Sequence, residues 1–203
     1  MQKRLMHPEN VCLQIIDVQQ SLMSKIKEAD KVVDNIGLLI NCAKIFGMSI
    51  VANTQYKKGL GPYVADVESL LENISHIDKT EFNAAANSET ASFLDGLPSE
   101  VDTIILVGVE THICIYQTAM GLLAKGLNVW VVTDAVSSRN RDDHQVGLQR
   151  LQSMGVCLGS SEMLVYELLG KAGSPEFKKI LPFVIARDKE VGLLESTYNR
   201  HIR

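Results

Sequence analysis

Long apolar runs are missing from this 203-residue sequence. No stretch approaches the roughly 18 residues of a membrane span, so no membrane partner is expected. Positive charge is not in excess either: 20 Lys and Arg against 24 Asp and Glu leave a net charge of −4. A nucleic-acid footprint needs the opposite balance, which argues against that partner. The four cysteines, at 12, 42, 114 and 157, form no C-x-x-C pair. Three fall inside apolar stretches, which fits reduced thiols in a cytoplasmic protein and leaves mitochondrial association open. The five histidines include no His-x-x-x-His pair, so no metal is expected. No G-x-G-x-x-G is present: Gly59-Leu60-Gly61 lacks the third glycine, and Pro62 follows where a helix should open. A nucleotide cofactor is therefore not expected. The start, Met1 to Pro8, is too short for a secretory signal, because Asn10 to Val18 is already strand-like.

What is there is ordinary for a globular chain: 46% apolar and 22% charged residues. The length suits one domain with a full core. The stretch that organises it is residues 104–126. Ile104 to Val109 is short, apolar and β-branched, and reads as a strand buried on both faces. Thr111 is a suitable N-cap for a following helix, with Lys125 in its last turn and Gly126 after it. Cys114 then lies in the first helical turn, just past the carboxyl end of a core strand. Unpaired backbone N–H groups and the positive end of the helix dipole favour a thiolate there. The alternative is a cysteine that only fills space, as most free cysteines do.

The rest of the chain repeats the pattern. Val11 to Ile16 is a strand that stops at Asp17, a carboxylate costly to bury unless it is used. Ala29 to Phe46 has helical spacing, and Met48 to Ala52 is the next strand, completing a βαβ unit. The polar loop Asn53 to Tyr63 leaves the carboxyl end of that strand, where ligands bind in open α/β sheets. Tyr63 to Leu71 reads as a helix, Ser75 to Thr80 as a weak strand holding Lys79, and Asn87 to Leu97 as a helix capped by Ser88. Asn128 to Thr133 is a continuous apolar strand followed by Asp134-Ala135 and a polar loop. Asp142 to Met154 is expected to be helical with Val146, Leu148 and Leu151 inward; Val156 to Gly159 is the last strand. Helices over Glu162 to Gly170 and Glu176 to Ala186 complete the layer. Residues 1–186 form one domain, and residues 187–203 form a polar tail, loosely held or used between subunits. Six strands alternating with helices imply a parallel sheet covered on both faces. Asp17, Lys79 and Cys114 each stand at the carboxyl end of a different strand, so they can meet at one sheet edge.

A thiol nucleophile needs a base. His112, two residues from Cys114, points off another helix face. His7, His76, His144 and His201 fall in loops or on polar faces, so a Cys–His pair is unsupported. A carboxylate base with a lysine partner is workable if burial raises the carboxylate pKa. Asp17 in Ile-Ile-Asp-Val-Gln, Lys79 in Asp-Lys-Thr-Glu-Phe and Cys114 in Gly-Val-Glu-Thr-His-Ile-Cys-Ile resemble the Asp-Lys-Cys triad of the isochorismatase-like cysteine hydrolases. Gln55-Tyr56-x-x-Gly59-Leu60-Gly61-Pro62, Asp134-Ala135-x-Ser137-Ser138-Arg139 and Pro175-Glu176-Phe177-Lys178 are similar to the small isochorismatase-domain-containing proteins of that superfamily.

The resemblance implies a three-layer α/β/α, Rossmann-like fold with strand order 3-2-1-4-5-6. It implies a cis peptide between Val109 and Glu110, which sets the Glu110 and Cys114 N–H groups side by side as an oxyanion hole. It implies hydrolysis of a small amide or related C–N bond through a thioester, with no cofactor, and a homo-oligomer as in many relatives. Gln19, Tyr56 and Arg139 are the candidate substrate-binding residues at the mouth. The sequence departs from the nicotinamidase branch, which has an Asp-x-His metal site where this chain has Asn53-Thr54-Gln55. It also departs from true isochorismatases, which lack the cysteine. Glu110 is expected either to pair with Arg139 or to be a buried structural group. Competing readings are an idle binding or scaffold protein that keeps the fold, and a nucleotide-binding protein or nuclease.

Overall fold

The computed structural model describes residues 5–74 and 76–190. Residues 1–4, Ser75 and the tail from 191 lie outside the described residues, as do the expectations that fall on them. Six strands, β1 (Val11–Ile16), β2 (Ser49–Gln55), β3 (His76–Lys79), β4 (Thr103–Val109), β5 (Asn128–Ser137) and β6 (Cys157–Gly159), form one parallel sheet. Their order is β3-β2-β1-β4-β5-β6. The helices are α1 (Gln20–Met23), α2 (Ala29–Phe46), α3 (Lys57–Leu60), α4 (Ala65–Ser69), α5 (Ser88–Asp95), α6 (Tyr116–Ala124), α7 (Arg141–Ser153), α8 (Ser161–Leu169) and α9 (Pro175–Glu190).

The two-residue period of the strands sorts their side chains between two cores. Leu13, Ile15, Ile105 and Val107 pack with residues of α2, α8 and α9 on one face. Cys12, Ile16, Ile104 and Leu106 pack with residues of α5, α6 and α7 on the other. Every residue of β1 and β4 is buried, as their largely apolar sequences require, and the one amide in β1, Gln14, donates to Asn53 Oδ1 at 2.8 Å.

The helices depart from expectation at their ends. The cap of α5 is Asn87, not Ser88: its side chain accepts from the Glu89 and Thr90 N–H groups. In α7 the inward residues are Gly147 and Leu151, with Leu148 half-buried; Val146 is 62% exposed. A side chain one position before Gly147 points away from the face that glycine lays against the neighbouring chain. Arg187 is not loose. It continues α9 and bonds Ser161 Oγ at 2.8 Å and Asp134 Oδ2 at 3.2 Å.

Where β1 and β4 run side by side, Gly108 has φ +113°, and a Cβ built there would stand 2.0 Å from the Ile16 carbonyl oxygen. Only glycine lets β4 pass the end of β1 this closely. Gly108→Ala is therefore expected to destabilise the fold by about 4 kcal/mol or more. At this size that is a fall of ~8 °C or more in unfolding temperature, readable by circular dichroism.

Candidate active site

The carboxyl edge of the sheet carries the candidate residues because strand order brings them there. Asp17 follows β1, with φ +56°, and its N–H donates to the Asn53 carbonyl at 3.0 Å. Tyr63 supports the same point from below: its buried hydroxyl lies 2.6 Å from the Asn53 carbonyl and 3.0 Å from that of Ile15. Lys79 ends β3, two strands away, and β2 lies between. Parallel strands sit about 4.8 Å apart, so a fully extended lysine is needed to span the gap. Its Nζ reaches Asp17 Oδ2 at 2.8 Å, and both side chains are fully buried. On the way it donates to Gln55 Oε1 at 2.6 Å. The Gln55 amide is in turn held by the Thr80 carbonyl at 2.8 Å.

Cys114 stands on the segment after β4. The Val109–Glu110 peptide is cis, and Thr111–Ile115 forms a π turn that runs into α6. Thr111 is not the cap. The Glu110 carbonyl accepts from both Ile113 and Ile115, which widens the turn, while the Thr111 hydroxyl bonds His144 Nδ1 at 2.9 Å. Cys114 is 7% exposed. Its sulfur neighbours the Asp17 carboxyl, and the Glu110 backbone N–H bonds toward it.

Electrostatics at this cluster differ from the expected thiolate. Burial, reinforced by the charge of Asp17, pushes the Cys114 thiol up to about 12, against the opposing pull of Lys79 and the Glu110 N–H. Desolvation outweighs the backbone groups that favour a thiolate. Burial also raises the Asp17 pKa, opposed by Lys79 and then by the Cys114 thiol. Asp17 spends Oδ2 on Lys79, and beyond the Cys114 thiol beside the carboxyl its Oδ1 has no hydrogen-bond partner among the described residues. The resting cluster is thus a protonated thiol beside a carboxyl group of raised proton affinity. Cys12 and Cys42 are also held near 12 by burial, with no neighbouring base to receive the proton among the described residues.

Residues 11–163 of this chain match the isochorismatase domain. The chain belongs to the isochorismatase family. Isochorismatase domain-containing protein 2 of Rattus norvegicus is 32% identical over 187 residues, which is 92% of this chain and 87% of the relative. The solved structure of a protein named MAR1 ribonuclease from Caenorhabditis elegans is 34% identical, with a TM-score of 0.83 over 90% of this chain and 93% of that one. The Escherichia coli YcaC gene product, described as an octameric hydrolase of unknown specificity, shares the fold at 21% identity, with a TM-score of 0.84 over 95% and 96%. The architecture is the isochorismatase-like hydrolase fold.

Within this isochorismatase-family site the other candidates separate. Gln19 is buried, and its amide is committed to the chain: it donates to the Gly61 and Gln55 carbonyls at 2.7 and 3.2 Å and accepts the Gln55 N–H at 2.7 Å. It anchors the loop after β2. Tyr56 is half exposed on that loop, with φ +39°. Arg139 keeps a 60% exposed side chain, while its backbone N–H donates to Glu110 Oε2 at 2.9 Å and its Nε lies 3.7 Å from the same oxygen. Glu110 is thus both buried and paired. His112 faces away, with Nδ1 at 2.9 Å from Ser138 Oγ. Asn53, where the nicotinamidase branch has its aspartate, is buried between Gln14 Nε2 at 2.8 Å and Thr90 Oγ1 at 2.8 Å.

Gln55 and Tyr63 carry structural roles at the site that sequence reasoning did not assign. Gln55 had a weak signal: a polar side chain two residues after Asn53 shares its strand face. Tyr63 had none, because nothing local says where its hydroxyl goes.

Proposed function

We propose that this isochorismatase-family protein is a cysteine hydrolase of small amides or related C–N bonds. The observation that supports it best is the buried Lys79–Asp17 pair at 2.8 Å, whose carboxyl group neighbours the Cys114 thiol and has no partner for Oδ1 beyond that thiol among the described residues. Asp17 takes the thiol proton, and the sulfur attacks the substrate carbonyl carbon. The negative oxygen of the tetrahedral species is held by the Glu110 and Cys114 N–H groups; one such donor is typically worth ~10²–10³ in rate. Protonated Asp17 returns its proton to the departing nitrogen, and the C–N bond breaks to leave a thioester. Asp17 then deprotonates water, which attacks the thioester, and the proton goes back to sulfur as the acid leaves. Lys79 keeps Asp17 oriented and moderates its proton affinity throughout. Tyr56 and Arg139, the exposed candidates, line the entrance, and Gln19 acts through the loop it anchors.

The cytoplasm is the compartment that four free thiols suit. Among the described residues no helix is long and apolar enough to cross a membrane. A homo-oligomer is in keeping with exposed Val146, Met163 and Tyr166 on the helical layers.

The name of the worm relative, a ribonuclease, supplies a second reading, RNA cleavage. The net charge of −4 opposes a polyanionic substrate. A panel of primary and N-substituted small amides, with a single-stranded RNA alongside, tests both. Release of amine or ammonia together with a mass increase on Cys114 equal to the acyl group is the expected result. RNA cleavage with no acyl adduct from any amide would replace the amide reading, and neither activity would leave the scaffold reading.

A further inference from the structure

A concave site whose lining includes none of the triad residues lies beside the Cys114 turn. β5 runs to Ser137, but β6 pairs only with Trp130–Val132, so among the described residues the carboxyl half of β5 has no strand outside it. The start of α2 and one flank of α7 wall this gap into a cavity of about 700 Å³. Small-ligand pockets fall in this range. Val32, Val136 and Leu148 supply its apolar lining, and Lys27, Lys31 and Arg141 stand exposed around it. No carboxylate lies within salt-bridge distance of these three cations among the described residues. Glu28 is the one acid in the lining without such a partner, because Asp134 is held by Arg187 and Ser161. Three positive charges therefore face one negative.

His144 completes the wall. Its Nδ1 is engaged by the Thr111 hydroxyl, and burial lowers its pKa, with Glu28 and His112 acting in opposite directions. When Thr111 donates to Nδ1, the ring hydrogen sits on Nε2 as a neutral donor. Thr111 belongs to the π turn that carries Cys114, and α7 lies tight against that turn: a Cβ on Gly147 would stand 3.1 Å from the His112 Cα.

We propose that this cavity binds a small carboxylate with an apolar body. The charged end sits among Lys27, Lys31 and Arg141, and the body lies over Val32, Val136 and Leu148. Occupancy is transmitted to the Cys114 turn through His144 and Thr111. The site is separate from the triad, and its occupancy stands or falls independently of amide turnover.

Benzoate serves as the probe, with benzyl alcohol as its uncharged counterpart, titrated into the full-length protein and followed by two-dimensional amide and histidine-ring NMR. Saturable shifts in residues 27–32 and 141–148 and in the His144 ring are expected, with none from benzyl alcohol at equal concentration. Lys31→Ala with Arg141→Ala should weaken benzoate at least tenfold, and Lys31→Arg should leave it unchanged. Should the double variant unfold, Lys31→Glu alone, on an exposed helical turn, carries the same expectation. Equal affinity in a folded variant, equal binding of the alcohol, or shifts confined to the surroundings of Asp17 and Lys79 would overturn the proposal. So would pocket amides that stay unresponsive because a second copy covers them at every protein concentration.

Discussion

Cys114→Ala is expected to reduce amide turnover by about 10⁵-fold or more, which is the scale seen when a covalent nucleophile is removed. No other described thiol has an adjacent carboxylate with a vacant lone pair, so nothing in the fold can substitute for it. The fold should survive. The sulfur is small and sits at the rim of a packed core, and its loss costs about 1 kcal/mol, or ~2–4 °C in unfolding temperature. Rate and melting curve are measured on the same preparation. A variant that keeps the wild-type rate would exclude covalent catalysis, and one that melts far below wild type would make Cys114 a packing residue. Iodoacetamide gives a companion reading: Cys114 should be labelled faster than Cys12 or Cys42. All three thiols stand near 12, but only Cys114 has Asp17 to take its proton.

Asp17→Asn is expected to lower the rate by about 10³–10⁴-fold, because it removes the base that each half of the cycle uses. Its effect on stability should run the other way. Burial raises the Asp17 pKa in the folded state above its ordinary value of 3.8. The folded protein therefore binds this proton more tightly than the unfolded chain does. The stability this contributes is fully present below the unfolded value and is lost as pH rises through the folded value. Above the folded value the ionised group is a burden that asparagine does not carry. The variant should unfold at or above the wild-type temperature near pH 7, and the difference should shrink as pH falls toward 4. A lower unfolding temperature at neutral pH would mean that the ion pair with Lys79 outweighs burial. Lys79→Met gives the complementary result. Lys79 opposes the rise in the Asp17 pKa, so its removal should move the acid limb of the pH–rate profile to higher pH. An unmoved limb would show that Asp17 is not the titrating base.

How much of this is legible in the sequence depends on how local the cause is. β1, β4 and β5 stand out because short runs this rich in apolar and β-branched residues have few other uses, and βαβ spacing then leaves a parallel sheet. The weak β3 is recognisable with its Lys79, although its short polar sequence says little, because a family resemblance places the lysine. The face of α7 departs from expectation because hydrophobicity points to Val146, whereas the real marker is the absence of a side chain at Gly147. The π turn has no local signature: it arises from one carbonyl, that of Glu110, taking two N–H groups. The state of the thiol escapes for a related reason. Backbone dipoles can be inferred from a helix start, whereas the depth of burial and the proximity of Asp17 depend on the whole sheet edge.

Neither end of the Lys79–Asp17 link is open to bulk solvent in the resting protein. Mobile salt ions screen charges they can approach, over about 8–10 Å at ordinary ionic strength, and a dry pair inside the protein lies largely beyond them. The driving partnership of this centre is therefore insulated from the electrolyte around it, while the open cations near α2 and α7 are fully subject to it.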